Sequence, residues 1–213
     1  MRKLSVLVIC LLILPVGKAG ADMGARTELV SALQSGGYTI YFRHAATDWS
    51  QSDQVYAAGD WQSCNANQMR QLSEAGRLTA MRVGDAMRVL AIPVGEILSS
   101  EYCRAVETAK GLNLGRIRTT TDVMNLLAAD YVGGREMAIA RLQSIISTPP
   151  KRGTNRVIIG HGNLSREATG AYPGEAGAVV LVADPSMKQG FKVIDQLEPS
   201  DWRRLAQLAS KSQ

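Results

Sequence analysis

Tyr38-Thr39-Ile40-Tyr41-Phe42-Arg43-His44-Ala45-Ala46-Thr47-Asp48 begins as a run of β-branched and aromatic residues and ends as a cluster of charged and hydroxyl groups. The first half has the composition of a buried strand. At Arg43 that composition stops, so the stretch predicts a strand that delivers an arginine and an imidazole side by side at its carboxyl end. The chain has one other histidine, His161, which follows a second apolar run, Val157-Ile158-Ile159-Gly160, and precedes Gly162. Such short runs, apolar on both faces, are typical of parallel strands covered by helices on each side. In an open α/β sheet ligands gather outside the carboxyl ends of the strands, and two strands of one parallel sheet would bring the two imidazoles together there.

Outward from these strands the chain alternates between two periods. Residues 27–33 predict a short helix ended by Gly36-Gly37. Residues 72–90 predict an amphipathic helix with Ala80, Val83, Met87 and Leu90 on one face, broken by Ile92-Pro93, and residues 94–98 predict a strand leading to Ser99-Ser100. A helix is expected to begin near Arg104, an edge strand and turn within 119–127, helices over 135–147 and around Arg166, and strands over 179–182 and 191–194. Trp202, Leu205 and Leu208 mark a closing amphipathic helix. Strands alternating with helices predict an α/β protein, a three-layer α/β/α sandwich with a mostly parallel central sheet. Residues 48–71 sustain no period and predict a long loop after the first strand, either substrate-facing or plain surface.

The amino terminus reads differently. Met1-Arg2-Lys3 is basic, residues 4–16 are almost wholly apolar, and Ala19-Gly20-Ala21 supplies small residues. Together they predict a cleavable signal peptide over residues 1–21 and a mature domain over residues 22–213. The apolar run is too short for a membrane span. The expected mature protein is therefore secreted, in a bacterium into the periplasm, with no stable membrane anchor. Cleavage takes Arg2, Lys3 and Lys18 from the 24 basic residues, leaving 21 against 19 acidic ones, so a formal charge of +5 falls to +2. With so small an excess and no basic run, nothing argues for nucleic acid as a partner. Cys64 and Cys103 remain after cleavage, and in an oxidising compartment an even pair is expected to form a disulfide. That bridge would tie the segment bearing Arg104 to the long loop. No Cys/His cluster suggests a metal site, and no metal or cofactor is expected.

Two arginines beside an imidazole point to phosphate chemistry, because a guanidinium stays charged and its planar fork matches phosphate oxygens. Arg43 and Arg104 are the candidate phosphate ligands. Alone, either would read as a surface ion pair; with both histidines in matching contexts they read as a site. His44 is the candidate nucleophile, attacking through one ring nitrogen while the other donates its proton to a fixed acceptor. His161 is the candidate donor to the phosphoryl oxygens, with Gly160 and Gly162 expected to admit a ligand close to the backbone. Thr47 is either a further phosphate ligand or a turn cap. A leaving alkoxide needs a carboxylic acid. The candidate carboxylates are Asp130, in a glycine-bounded loop, Asp122 and Glu136. Asp48 and Asn163 are candidates to line the pocket, and Ser99, Ser100 and Glu107 read as helix-start or packing residues.

Arg43-His44-Ala45 with Thr47, Leu98-Ser99-Ser100 leading to Arg104-Ala105 and Glu107-Thr108-Ala109, and Gly160-His161-Gly162 resemble, in order and spacing, the motifs of the histidine phosphatase superfamily. The likeness is to its phosphoglycerate-mutase-like branch, in an exported form, and covers residues 38 to 182. The branch of phytases and acid phosphatases usually carries His-Asp in its last motif, where this chain has His161-Gly162. Ala45 stands where glycine is commoner. The resemblance implies a metal-independent phosphatase, hydrolysing a phosphate monoester through a phosphohistidine on His44. The rival readings are a phosphoryl mutase and a non-catalytic phosphate-binding envelope protein. In the family the acid falls between the second arginine and the last of these strands, usually as a glutamate in a context this chain lacks; Asp130 holds the most comparable place. Exported relatives imply a small phosphate ester as substrate, such as a sugar phosphate of the bacterial envelope. Substrate identity and oligomeric state are not legible in the sequence.

Overall fold

Tyr38–Arg43 (β1) and Asn155–Gly160 (β4) lie side by side as parallel strands, with Phe42 opposite Ile159 and Arg43 opposite Gly160. Each histidine is the residue that follows its strand. The two imidazoles therefore leave the sheet from adjacent strand ends, on the same edge.

The computed structural model of the chain describes residues 18–211. Of the leader expected over residues 1–21, residues 1–17, Cys10 among them, lie outside the described residues. The remaining elements are α1 (Lys18–Ser35), α2 (Glu74–Val89), β2 (Val94–Ser100), α3 (Cys103–Leu112), β3 (Ile117–Thr120), α4 (Arg135–Ser147), α5 (Gly162–Thr169), β5 (Ala178–Ala183), β6 (Phe191–Leu197) and α6 (Pro199–Lys211). The sheet order is β3-β2-β4-β1-β5-β6. The first four of these strands run parallel, and β5 runs against both its neighbours. The expected mostly parallel sheet is present.

Strand alternation divides the core into two layers. On one face, Ile40 and Phe42 of β1 and Val157 and Ile159 of β4 pack with apolar residues of α1, α2, α3 and α6. On the other, Tyr41 and Ile158 pack with Leu142 of α4 and Leu164 of α5. Because helices cover both faces, the central strands are apolar throughout, which is why their sequence shows runs rather than alternation. The helices over 74–89 and 135–147 fall where their periodicity places them, and Ser73 caps the former by accepting the Gly76 N–H.

The region expected as an edge strand and turn over 119–127 is shorter in strand and longer in turn. β3 ends at Thr120, and two 3-10 segments follow, Thr121–Val123 and Leu126–Val132. The reason is local. Thr120 Oγ1 accepts the Asp122 N–H and Asn125 Oδ1 accepts the Leu127 N–H, and such side-chain bonds draw the backbone away from the ladder.

The aperiodic stretch over 48–71 is held by polar contacts rather than by a period. Gln54 N–H donates to the Gln68 carbonyl, the Arg70 and Gln71 N–H groups donate to Asp53 and Gln51 side chains, and Thr47 bridges Leu72. The Trp61 indole donates to Glu101 Oε2. The expected Cys64–Cys103 disulfide is formed, with Cα atoms 5.3 Å apart. It fastens this loop to the first turn of α3, next to Arg104.

Candidate active site

His44 is 3% exposed and sits on the floor of the site. Its N–H donates to the Gly160 carbonyl and its carbonyl accepts the Ala176 N–H, which fixes the backbone between β4 and the segment before β5. The ring is fixed too: Nδ1 lies 2.9 Å from the Ala45 carbonyl oxygen. A carbonyl only accepts, so Nδ1 carries the proton and Nε2 holds a free lone pair. Ala45 N–H in turn donates to Thr108 Oγ1, whose hydroxyl donates to the Arg104 carbonyl. The nucleophile's backbone and the arginine's helix are thereby joined through one buried threonine.

His161 lies with its ring centroid 5.3 Å from that of His44. Its protonation pattern follows from its neighbours. The Leu127 N–H donates to Asn125 Oδ1 at 3.0 Å, and Asn163 Nδ2 donates to the same oxygen at 2.7 Å. Asn125 is therefore oriented with Nδ2 towards His161 Nδ1, 3.2 Å away. Nδ1 accepts, and the proton sits on Nε2, which donates to Ser100 Oγ at 2.9 Å. The His161 backbone is clasped by Tyr41, whose hydroxyl accepts the His161 N–H at 2.8 Å and donates to its carbonyl at 3.0 Å.

Burial is the largest cause holding both imidazoles well below the ordinary histidine range. The Arg104 guanidinium comes next at each ring, and Arg43 and Arg70 push the same way. At His44 the Ala45 carbonyl opposes the shift without reversing it. Both rings are neutral at neutral pH, the form in which an imidazole nitrogen attacks phosphorus.

Arg43 and Arg104 both reach this cluster. Arg43 stands 3.5 Å from Glu175 Oε1 and lies against the Tyr172 ring. Arg104 is fully buried and stacks on Tyr102, whose ring also meets His161 edge-on. Burial pushes the Tyr102 phenol up to about 12, so it remains a donor. Arg104 grips the Asp53 carboxylate with both ends of its fork, Nη1–Oδ1 and Nη2–Oδ2 each 2.8 Å. Among the described residues Arg104 Nε, the Tyr102 hydroxyl and Thr47 Oγ1 have no hydrogen-bond partner. Of these, Arg104 Nε and the Tyr102 hydroxyl belong to side chains stacked on each other beside His161, and buried donors with unused capacity there suit a tetrahedral oxyanion.

The other expectations fall as follows. Asp130 is exposed on the segment Leu126–Val132, and Glu136 is exposed in the first turn of α4. Asp122 accepts the Thr120 hydroxyl and faces Arg141. Asn125, five residues before Asp130, is what this region sends to the histidines. Asp48 binds Ser50 and Gln51 in an exposed turn, whereas Asn163 joins the His161 network. Ser100, read as a helix-start or packing residue, holds the His161 ring. Gly160 and Gly162 serve the protein's own side chains: a Cβ on Gly160 would fall 2.1 Å from the Tyr41 hydroxyl, and one on Gly162 2.7 Å from the Tyr172 ring. Asp53, Arg70, Asn125 and Glu175 carried no motif; a charged residue among loop residues reads as solvated surface. The groove between α2 and α6, lined by Arg82, Ala86, Val89 and Ala206 among others, contains none of these groups. Among the described residues, no three His, Cys, Asp or Glu side chains are grouped to hold a metal ion, and no helix is long and apolar enough to cross a membrane.

Residues 40–133 match the family model of the histidine phosphatase superfamily (branch 1). Among solved structures, the chain is similar to the protein histidine phosphatase SixA complexed with tungstate, at 16% identity and a TM-score of 0.51 over 76% of this chain and 97% of that one. It is similar to a mycobacterial hydrolase at 18% identity and a TM-score of 0.53, over 75% and 97% of the two chains. A phosphoserine phosphatase mutant from Entamoeba histolytica in complex with phosphoserine gives 12% identity and a TM-score of 0.50 over 77% and 98%. These likenesses show a shared fold. No curated protein matches the chain.

Proposed function

We propose that the chain, whose residues 40–133 match the model of the histidine phosphatase superfamily (branch 1), is a phosphatase that hydrolyses a phosphate monoester through a phosphohistidine on His44. The observation that carries this reading is the Nδ1 contact of His44 with the Ala45 carbonyl. It leaves Nε2 unprotonated in a pocket that holds two arginines and a second imidazole.

In the proposed reaction His44 Nε2 attacks phosphorus in line with the ester oxygen while Arg43 and Arg104 hold the non-bridging oxygens. The ring's developing charge is met at Nδ1–H by the Ala45 carbonyl. The His161 Nε2 proton, resting on Ser100 Oγ, is the one available to a phosphoryl oxygen. Water then attacks the phosphohistidine and the imidazole leaves. The two guanidinium groups supply the positive charge, and the reaction as proposed uses no metal. The composition of residues 1–21 supports export, and the exported form of the family that the motifs resemble supports an envelope sugar phosphate as the substrate class.

The test is phosphate release by the purified protein from a panel of phosphate esters, with a chelator present, beside His44→Ala. Release by the wild type, with a trapped phosphohistidine and neither in the variant, is expected. Release without an isomerised product separates hydrolysis from a mutase. A wild type that binds phosphate but cleaves no ester refutes the reading.

A further inference from the structure

The leaving oxygen needs a proton donor, and among the described contacts none of the three carboxylates that the sequence offers meets an arginine or histidine of the site: Asp130 and Glu136 are exposed, and Asp122 is engaged with Thr120 and Arg141. Two other carboxylates stand on the site's arginines. Glu175 meets Arg43 at a single 3.5 Å contact and is 26% exposed, whereas Asp53 meets Arg104 through two 2.8 Å bonds and is 9% exposed. A guanidinium fork filled by a carboxylate is held in the geometry it would give to two phosphate oxygens. Asp53 thus occupies the seat that the phosphoryl group needs.

Displacement from that seat cannot take Asp53 far. Its loop is fastened at the Thr47–Leu72 bridge and by the Cys64–Cys103 disulfide beside Arg104, and the Arg70 N–H holds Oδ1 at 3.1 Å. His44 is buried, so in-line geometry sends the leaving oxygen away from it, and the loop over 48–71 reaches the site at two points, Asp53 on the Arg104 fork and Arg70 close enough to act on both imidazoles. A phosphate group on Arg104 takes that cation from Asp53, and the displaced carboxylate takes up the proton that the ester carries in as its monoanion.

Resting on the phosphatase reading, we infer that Asp53 is the proton donor to the leaving group, kept on Arg104 in the resting protein and exchanged for the incoming phosphate. As the N–P bond forms at His44 Nε2 and the P–O ester bond breaks, the Asp53 proton passes to the departing oxygen, giving the alcohol. When water attacks phosphorus, Asp53 takes its proton, the P–N electron pair returns to Nε2, and inorganic phosphate leaves.

The experiment compares wild type, Asp53→Asn and Asp130→Asn on two esters, para-nitrophenyl phosphate and glycerol phosphate, with calorimetric titration of inorganic phosphate. A nitrophenolate leaves without a proton; a glycerol alkoxide does not. Asp53→Asn is expected to lose about a hundredfold to ten-thousandfold in kcat on glycerol phosphate, far less on the nitrophenyl ester, and to bind inorganic phosphate at least as tightly as wild type. Equal losses on both esters, or the unequal loss appearing in Asp130→Asn instead, overturn the assignment. A wild type inert to both esters sinks the phosphatase reading and this proposal together, so the two failures are distinct. Should Asp53→Asn not fold, Asp53→Glu keeps the counter-charge and moves the carboxyl by one methylene; unequal losses are expected there too, and equal rates on both esters relative to wild type overturn the proposal.

Discussion

Tyr41→Phe removes one oxygen and is expected to damage both stability and turnover. The hydroxyl accepts the His161 N–H and donates to the His161 carbonyl, and burial keeps the phenol protonated by raising it above its ordinary range. The carbonyl retains a second donor, the Ser165 N–H at 3.1 Å. The N–H has none among the described contacts, so the substitution leaves one buried donor unmatched at a cost of about 1–3 kcal/mol. The ring and its packing are unchanged, so no cavity adds to that cost. For a domain of this size each kcal/mol lowers Tm by about 2–4 °C, and the expected drop is roughly 2 to 12 °C. His161 also loses the clasp that sets its height above His44, and a misplacement of about 1 Å costs on the order of a hundredfold in rate. Thermal melting and steady-state kinetics on one preparation measure both. An unchanged Tm with an unchanged kcat would show that the hydroxyl does not hold His161 and would refute the reasoning.

The disulfide closes a loop with a separation of 39 residues, worth about 4 kcal/mol on the chain-entropy model. Cys64→Ser with Cys103→Ser is expected to lower Tm by roughly 8 to 16 °C and to raise KM, since Arg104 adjoins the bridge; reaction of both thiols with an alkylating agent in the non-reduced protein would refute the bond. His44 and His161 are both held below the ordinary histidine range, so the unfolded chain binds more protons once pH falls below about 6.5. Their contribution to stability is full above that pH and is lost as pH falls, at up to about 2.7 kcal/mol per pH unit for the two. Denaturant unfolding from about pH 7 to about pH 5 should show the decline, with a shallower slope in His161→Asn; an equal slope there would argue against a neutral buried His161. Gly162→Ala sets a Cβ 2.7 Å from the Tyr172 ring and 3.2 Å from Arg43 Cδ. It is expected to raise KM more than it lowers kcat, and an unchanged KM would show that the Tyr172 ring yields without moving Arg43.

The sequence by itself determined the layered architecture and the meeting of the two histidines. Each depends on information that neighbouring residues carry. A run such as Val157-Ile158-Ile159 has the composition of a strand covered on both sides, and two such runs in one parallel sheet place Arg43-His44 and His161 at the same edge. The Cys64–Cys103 pair was legible because residues 22–213 hold no other cysteine. Tertiary structure alone decided what surrounds the histidines. Asp53 finds Arg104 across a separation of 51 residues, and Asn125 finds His161 across 36, on stretches whose course is set by side-chain hydrogen bonds and a disulfide rather than by any period. Tyr41 reads as one more core aromatic until the chain folds and its hydroxyl meets the next strand's backbone. Strand formation is a property of consecutive residues, whereas a carboxylate's pairing with a buried guanidinium exists only once distant segments have been brought together, and no local pattern encodes it.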